Sequence, residues 1–78
     1  MSAVIMALAR LAAIKAVKRD LQAQGIKTAH VERRIITEAA NAYLTQYPEL
    51  VTGAADTVRK VPQFRTLAER EERYRRRN

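Results

Sequence analysis

Hydrophobic positions recur along this chain at three- and four-residue spacing, and Gly25, Pro48 and Pro62 divide the pattern into four segments, each predicted to be helical. In the first, Val4, Ala7, Leu11, Ile14 and Leu21 fall on one heptad seam flanked by Leu8 and Val17, the pattern of an amphipathic helix of about five turns. Lys18 shares that seam: either its aliphatic stem covers apolar surface while the ammonium snorkels outward, or it sets the register of a helix pair. Gly25 suits the residue just past the helix, where a left-handed backbone costs it nothing, so the helix should end near Gln24.

A second helix is expected after Thr28, whose hydroxyl can accept from a first-turn amide. Val31, Ile35, Ala39, Ala42 and Tyr43 form its stripe, widened by Ile36, Ala40 and Tyr47, opposite Arg34, Thr37, Glu38, Asn41 and Thr45. Pro48 opens a third helix, with Glu49 behind it complementing the dipole, and Leu50, Val51, Ala54, Val58 and Val61 make its buried stripe. Gly53 inside that helix should cost about 1 kcal/mol relative to alanine unless a neighbour packs closely against it.

After Pro62, Phe64, Leu67 and Ala68 offer one short apolar patch before the chain becomes almost wholly charged. Acidic residues precede arginines by four positions at Glu69/Arg73, Glu71/Arg75 and Glu72/Arg76, which supports an exposed helix over Arg65–Tyr74, with residues 75–78 expected to fray. The pattern therefore predicts an all-α protein: a small three- to four-helix domain over residues 1–68 with a charged C-terminal helix or arm over residues 69–78.

Seventy-eight residues lie near the lower limit at which one core holds a fold unaided. The absence of cysteine excludes disulfides and thiolate metal sites, and a single histidine builds no metal site alone, so stability must come from helix packing or self-association, with no metal or cofactor expected. Cytoplasm is the default compartment for such a chain. The apolar opening is interrupted by Arg10 and Lys15, well short of the roughly 20 apolar residues a spanning helix needs. A secretory leader would place its charges before the apolar run, whereas here they follow it. The first nineteen residues, basic and without an acid until Asp20, also have a transit-peptide composition. An interfacial membrane role for the first helix is a third hypothesis: the helix is basic and amphipathic, but it has no aromatic anchor, so a membrane partner is not expected.

Charge is the feature that points toward function. The chain carries a formal +7, and the excess sits at its ends: five basic residues against one acidic in residues 1–27, and six arginines against three glutamates in residues 62–78, with a neutral middle. Lys15, Lys18, Arg19 and Lys27 near one helix end, and Arg73, Arg75, Arg76 and Arg77 in the tail, are the candidate contacts to a nucleic-acid backbone, DNA or RNA, through phosphate and largely without regard to sequence. The bland alternative is a solvated charged surface with no partner. A helix-turn-helix turning at Gly25 fits badly, since Leu21 stands where a small residue is wanted and Gln24 where an apolar one is.

The alternative function is a protein-interaction or self-associating adaptor module, with Val4, Leu8, Leu11 and Ile14 meeting a partner helix or a second copy instead of packing internally against the Val31–Tyr47 stripe. No enzyme and no small-molecule substrate are expected. His30, Asp20, Asp56 and scattered glutamates form no pairing that spacing establishes, and two glycines make no phosphate loop. His30 is expected as an exposed first-turn residue, and Tyr43 and Tyr47 as packing residues one turn apart.

Overall fold

The computed structural model describes residues 2–77, with the side chain of Arg77 outside the described atoms. Among the described residues there are four α-helices and no strand: α1 (Ala3–Ala23), α2 (Arg33–Gln46), α3 (Glu49–Lys60) and α4 (Pro62–Arg77), with a 3₁₀ turn at Thr28–His30 between α1 and α2. The long α1 is the common wall. Both α2 and α3 pack on it, and α4 lies on α3 and touches the start of α1.

The chain begins α1 with a cap that the hydrophobic pattern did not signal. Ser2 Oγ accepts from the amide of Val4 at 3.2 Å, and Glu71 Oε1 on α4 accepts from the amide of Ala3 at 2.9 Å. Since α1 has no acid in its own first turn, Glu71 brings the negative charge that its dipole favours from 68 residues away and ties α4 to the body. At the other end Gly25 has φ +79°, the amide of Ile26 donates to Leu21 O at 2.9 Å and that of Gly25 to Gln22 O at 3.0 Å. This is the Schellman arrangement, and the end expected near Gln24 is met.

The buried face of α1 differs from the predicted seam. Ala9 and Ala13 are fully buried and Ala16 nearly so, while Leu11, at the centre of the seam, is 57% exposed. At about 100° per residue, Leu11 lies roughly 160° around the helix from both Ala9 and Ala13. The reason is packing. A helix flanked by two others needs small side chains where their axes come close, so alanine occupies the shared wall. The bulkier Ile5, Leu8 and Ile14 fill the shoulders beside it.

Two further boundaries move. Thr28 does not cap α2: it starts a 3₁₀ turn closed by Val31 N to Thr28 O at 3.1 Å, Val31 is extended, and α2 begins at Arg33 with Glu32 before it. The core of α2 is Ile36, Ala40 and Leu44, so the stripe is rotated from the one expected, leaving Ile35 and Ala42 exposed. In α3, Ala54 and Val58 are buried as the pattern indicated. A Cβ at Gly53 would meet nothing within 4 Å, so no close approach accounts for that glycine. The helix expected over Arg65–Tyr74 is longer, from Pro62 to Arg77, so residues 75–77 are helical and residue 78 lies outside the described residues. The boundary drawn at residues 68 and 69 falls inside this continuous helix.

The core is thin. Its buried members are five alanines, Ile36, Leu44 and Val58, and among the described residues no large side chain is fully buried. No helix among them is long and apolar enough to cross a membrane.

Candidate nucleic-acid interface

Lys15, Lys18 and Arg19 are exposed on the C-terminal half of α1, and Lys27 is exposed just past the chain reversal at Gly25. A groove of about 580 Å³ opens between α1 and α2, with Leu11, Ile14, Val31 and Ile36 as its apolar floor and Lys18 and Arg33 on its edge. A shallower depression of about 400 Å³, bordered by Gly25, Ile26 and Lys27, shares Thr28 and Ala29 with it. Lys18, Lys27 and Arg33 therefore border one continuous surface around the 3₁₀ turn.

No carboxylate among the described residues comes within 4.0 Å of Lys15, Lys18, Arg19, Lys27 or Arg33. Arg33 was missed in the sequence because Glu32, Arg34 and Glu38 around it sum with it to zero. In the fold Glu32 turns to Arg34, at 3.8 Å, and Arg33 is left on the groove edge. Spatial charge diverges here from charge counted by segment. The first turn of α2 also has no side-chain cap, which leaves its positive dipole end beside Arg33.

The α4 group is different in kind. Arg75 lies 3.6 Å from Glu71, and Arg76 lies 3.6 Å from Glu72, as the four-residue spacing predicted. The third predicted pair, Glu69 with Arg73, is not within 4.0 Å. Arg73 is exposed, and the side chain of Arg77 lies outside the described residues.

The two predicted basic groups are not brought together. Glu71, two residues before Arg73, sits at the first residue of α1, and Lys18 is fifteen residues further along that helix, about 22 Å away at 1.5 Å per residue. They occupy opposite ends of α1 in a body 46 Å long.

The residues proposed for protein contact are split by the fold. Leu8 lines a groove against α3 with Leu50 and Gly53 and packs on the core, as does Ile14. Val4 is half-buried, and only Leu11 is mostly exposed. His30 is exposed at the end of the 3₁₀ turn. Tyr43 and Tyr47 stack on each other with ring centroids 4.6 Å apart and planes tilted by 39°, Tyr43 half-buried against the core. Compared with known families, curated proteins and solved structures, the chain matches none of them.

Proposed function

We propose that this protein binds the phosphate backbone of nucleic acid, chiefly through Lys15, Lys18, Arg19, Lys27 and Arg33 around the 3₁₀ turn, with the α4 arginines as a secondary contact. The observation that carries the reading is the absence of any carboxylate within ion-pair distance of these five cations among the described residues. Lys18, Lys27 and Arg33 border one surface, with Lys15 and Arg19 exposed nearby on α1, and unneutralised cations so grouped give a local positive potential that the net charge alone would not guarantee. A phosphate replaces its condensed counterions with such side chains, and the released ions drive binding. Contacts of this kind position a duplex by its phosphates and carry no sequence information, so the binding is to charge and shape. The α4 arginines, about 22 Å further along, extend the footprint over on the order of a dozen phosphate charges of a duplex.

The test is fluorescence anisotropy with two labelled 20-base-pair duplexes of unrelated sequence, each titrated at several salt concentrations. The reading expects equal affinity for the two and a log–log salt slope of about −4 or steeper. No binding at low salt, or an affinity indifferent to salt, contradicts it.

A further inference from the structure

We propose that a second copy of this chain covers the face of α1 centred on Leu11, pairing the two α1 helices antiparallel about a two-fold axis. This goes beyond phosphate binding and does not depend on it.

Area is the first argument. The chain exposes 6146 Å², whereas a compact monomer of its 8.9 kDa mass exposes about 4,800 Å². Its radius of gyration of 14.7 Å likewise exceeds the roughly 11.5 Å of a compact chain this long. The excess is about 1,300 Å², against the roughly 800 Å² each partner contributes to a standard interface. Part of that excess lies on the outer turns of α4, where Tyr74 is 72% exposed, and part on α1, where Leu11 is 57% exposed.

Self-complementarity is the second argument. Leu11 stands out as a knob and also lines the groove floored by Ile14, Val31 and Ile36. An isologous contact needs such a patch, in which one copy's projection meets the other copy's recess. Ala3 and Ala7, on the same side of the helix and exposed, let two backbones approach closely.

Charge fixes the direction. The seam has Lys18 toward one end; at the other, the Glu71 carboxylate is already engaged by the amide of Ala3 and by Arg75. Parallel pairing sets Lys18 against the partner's Lys18. Antiparallel pairing about Leu11 sets Lys18 against the partner's Val4 instead, and it opposes the two helix dipoles. Arg19 and Lys27 stay outside the seam and are duplicated by pairing, whereas Lys18 on the seam and Lys15, one turn from Leu11, are drawn from the phosphate surface into the contact.

The experiment is sedimentation equilibrium of the nuclease-treated full chain, together with short bismaleimide cross-linking of single-cysteine variants, which the cysteine-free sequence makes clean. The expected species has twice the 8.9 kDa mass and a population that rises with concentration between about 10 and 100 μM. Leu11→Cys should cross-link to its own copy, and Leu67→Cys on α4, 47% exposed, should not. A mixture of Val4→Cys and Lys18→Cys chains should give the mixed product over either self-product. Leu11→Glu should weaken association at least about tenfold with helicity by circular dichroism unchanged, because Leu11 contributes little to the monomer core. A monomer throughout the concentration range overturns the proposal. So does a dimer indifferent to Leu11→Glu, or one cross-linked through Leu67→Cys and not Leu11→Cys. Val4→Cys self-products in excess overturn the antiparallel direction.

Discussion

The two basic ends of the molecule look alike in the sequence and differ in the fold. Around the 3₁₀ turn, Lys15, Lys18, Arg19, Lys27 and Arg33 have no carboxylate within 4.0 Å among the described residues, whereas in α4 Glu71 and Glu72 stand one turn from Arg75 and Arg76. A helix whose arginines follow glutamates by four residues spends part of its positive charge on its own stability. A helix end and loop whose cations arrive from three separate segments keep theirs for a partner. On the proposed reading, proximity of opposite charge, and not the count of arginines, decides which end would attract a polyanion.

The sharpest way to break that comparison is to neutralise each end separately. Changing Lys15, Lys18, Arg19 and Lys27 together to Gln is expected to lower duplex affinity by at least about tenfold near 100 mM salt and to flatten the log–log salt slope by about 3. Changing Arg73, Arg75, Arg76 and Arg77 to Gln should cost less than about threefold and flatten the slope by about 1 or less. Equal losses from the two quartets, measured by anisotropy, would erase the distinction between the ends.

A second contrast lies within α1, between its alanine face and its Leu11 face. Ala13→Leu forces a larger side chain between α1 and its neighbours and should destabilise the fold by about 1–3 kcal/mol in urea unfolding. Leu11→Ser, at protein concentrations low enough to keep the chain monomeric, should change stability by less than about 0.5 kcal/mol. The reverse ranking would restore the seam read from hydrophobicity.

A third contrast, of about 1 kcal/mol on each side, concerns the two glycines. Gly25→Ala places a side chain at φ +79° and should lower stability by about 1 kcal/mol. Gly53→Ala, in a helix with free space at the Cβ position, should raise it by up to about 1 kcal/mol. Thermal unfolding that moves both variants in one direction would contradict the assignment of their roles.

What the sequence made legible follows from these physical differences. Helix number, the Gly25 stop and the prolines opening α3 and α4 are local matters of backbone conformation, and the chain states them outright. Which face of α1 is buried is not local. Periodicity weights side-chain size, whereas a helix shared by two neighbours selects for smallness, so Val4–Leu11–Leu21 looked like the core and Ala9–Ala13–Ala16 did not. Leu44 was missed in α2 because the stripe was anchored on Val31 and Ile35, whereas Val31 precedes the helix and Ile35 lies about 100° around it from the buried Ile36. In the candidate site, four of the five cations were visible as a local excess. Arg33 became visible only when the fold assigned Glu32 to Arg34. The Glu71 cap on Ala3 spans 68 residues, a separation that no pattern of neighbouring residues encodes.

The most direct test of where a polyanion lies is an amide chemical-shift titration of isotope-labelled protein with a short duplex of arbitrary sequence. The account expects the first and largest shifts at residues 15–34, around the 3₁₀ turn, with residues 65–77 following weakly at higher ratio. Shifts that begin in α4 and leave residues 15–34 in place, or no shifts at all at low salt, would contradict it.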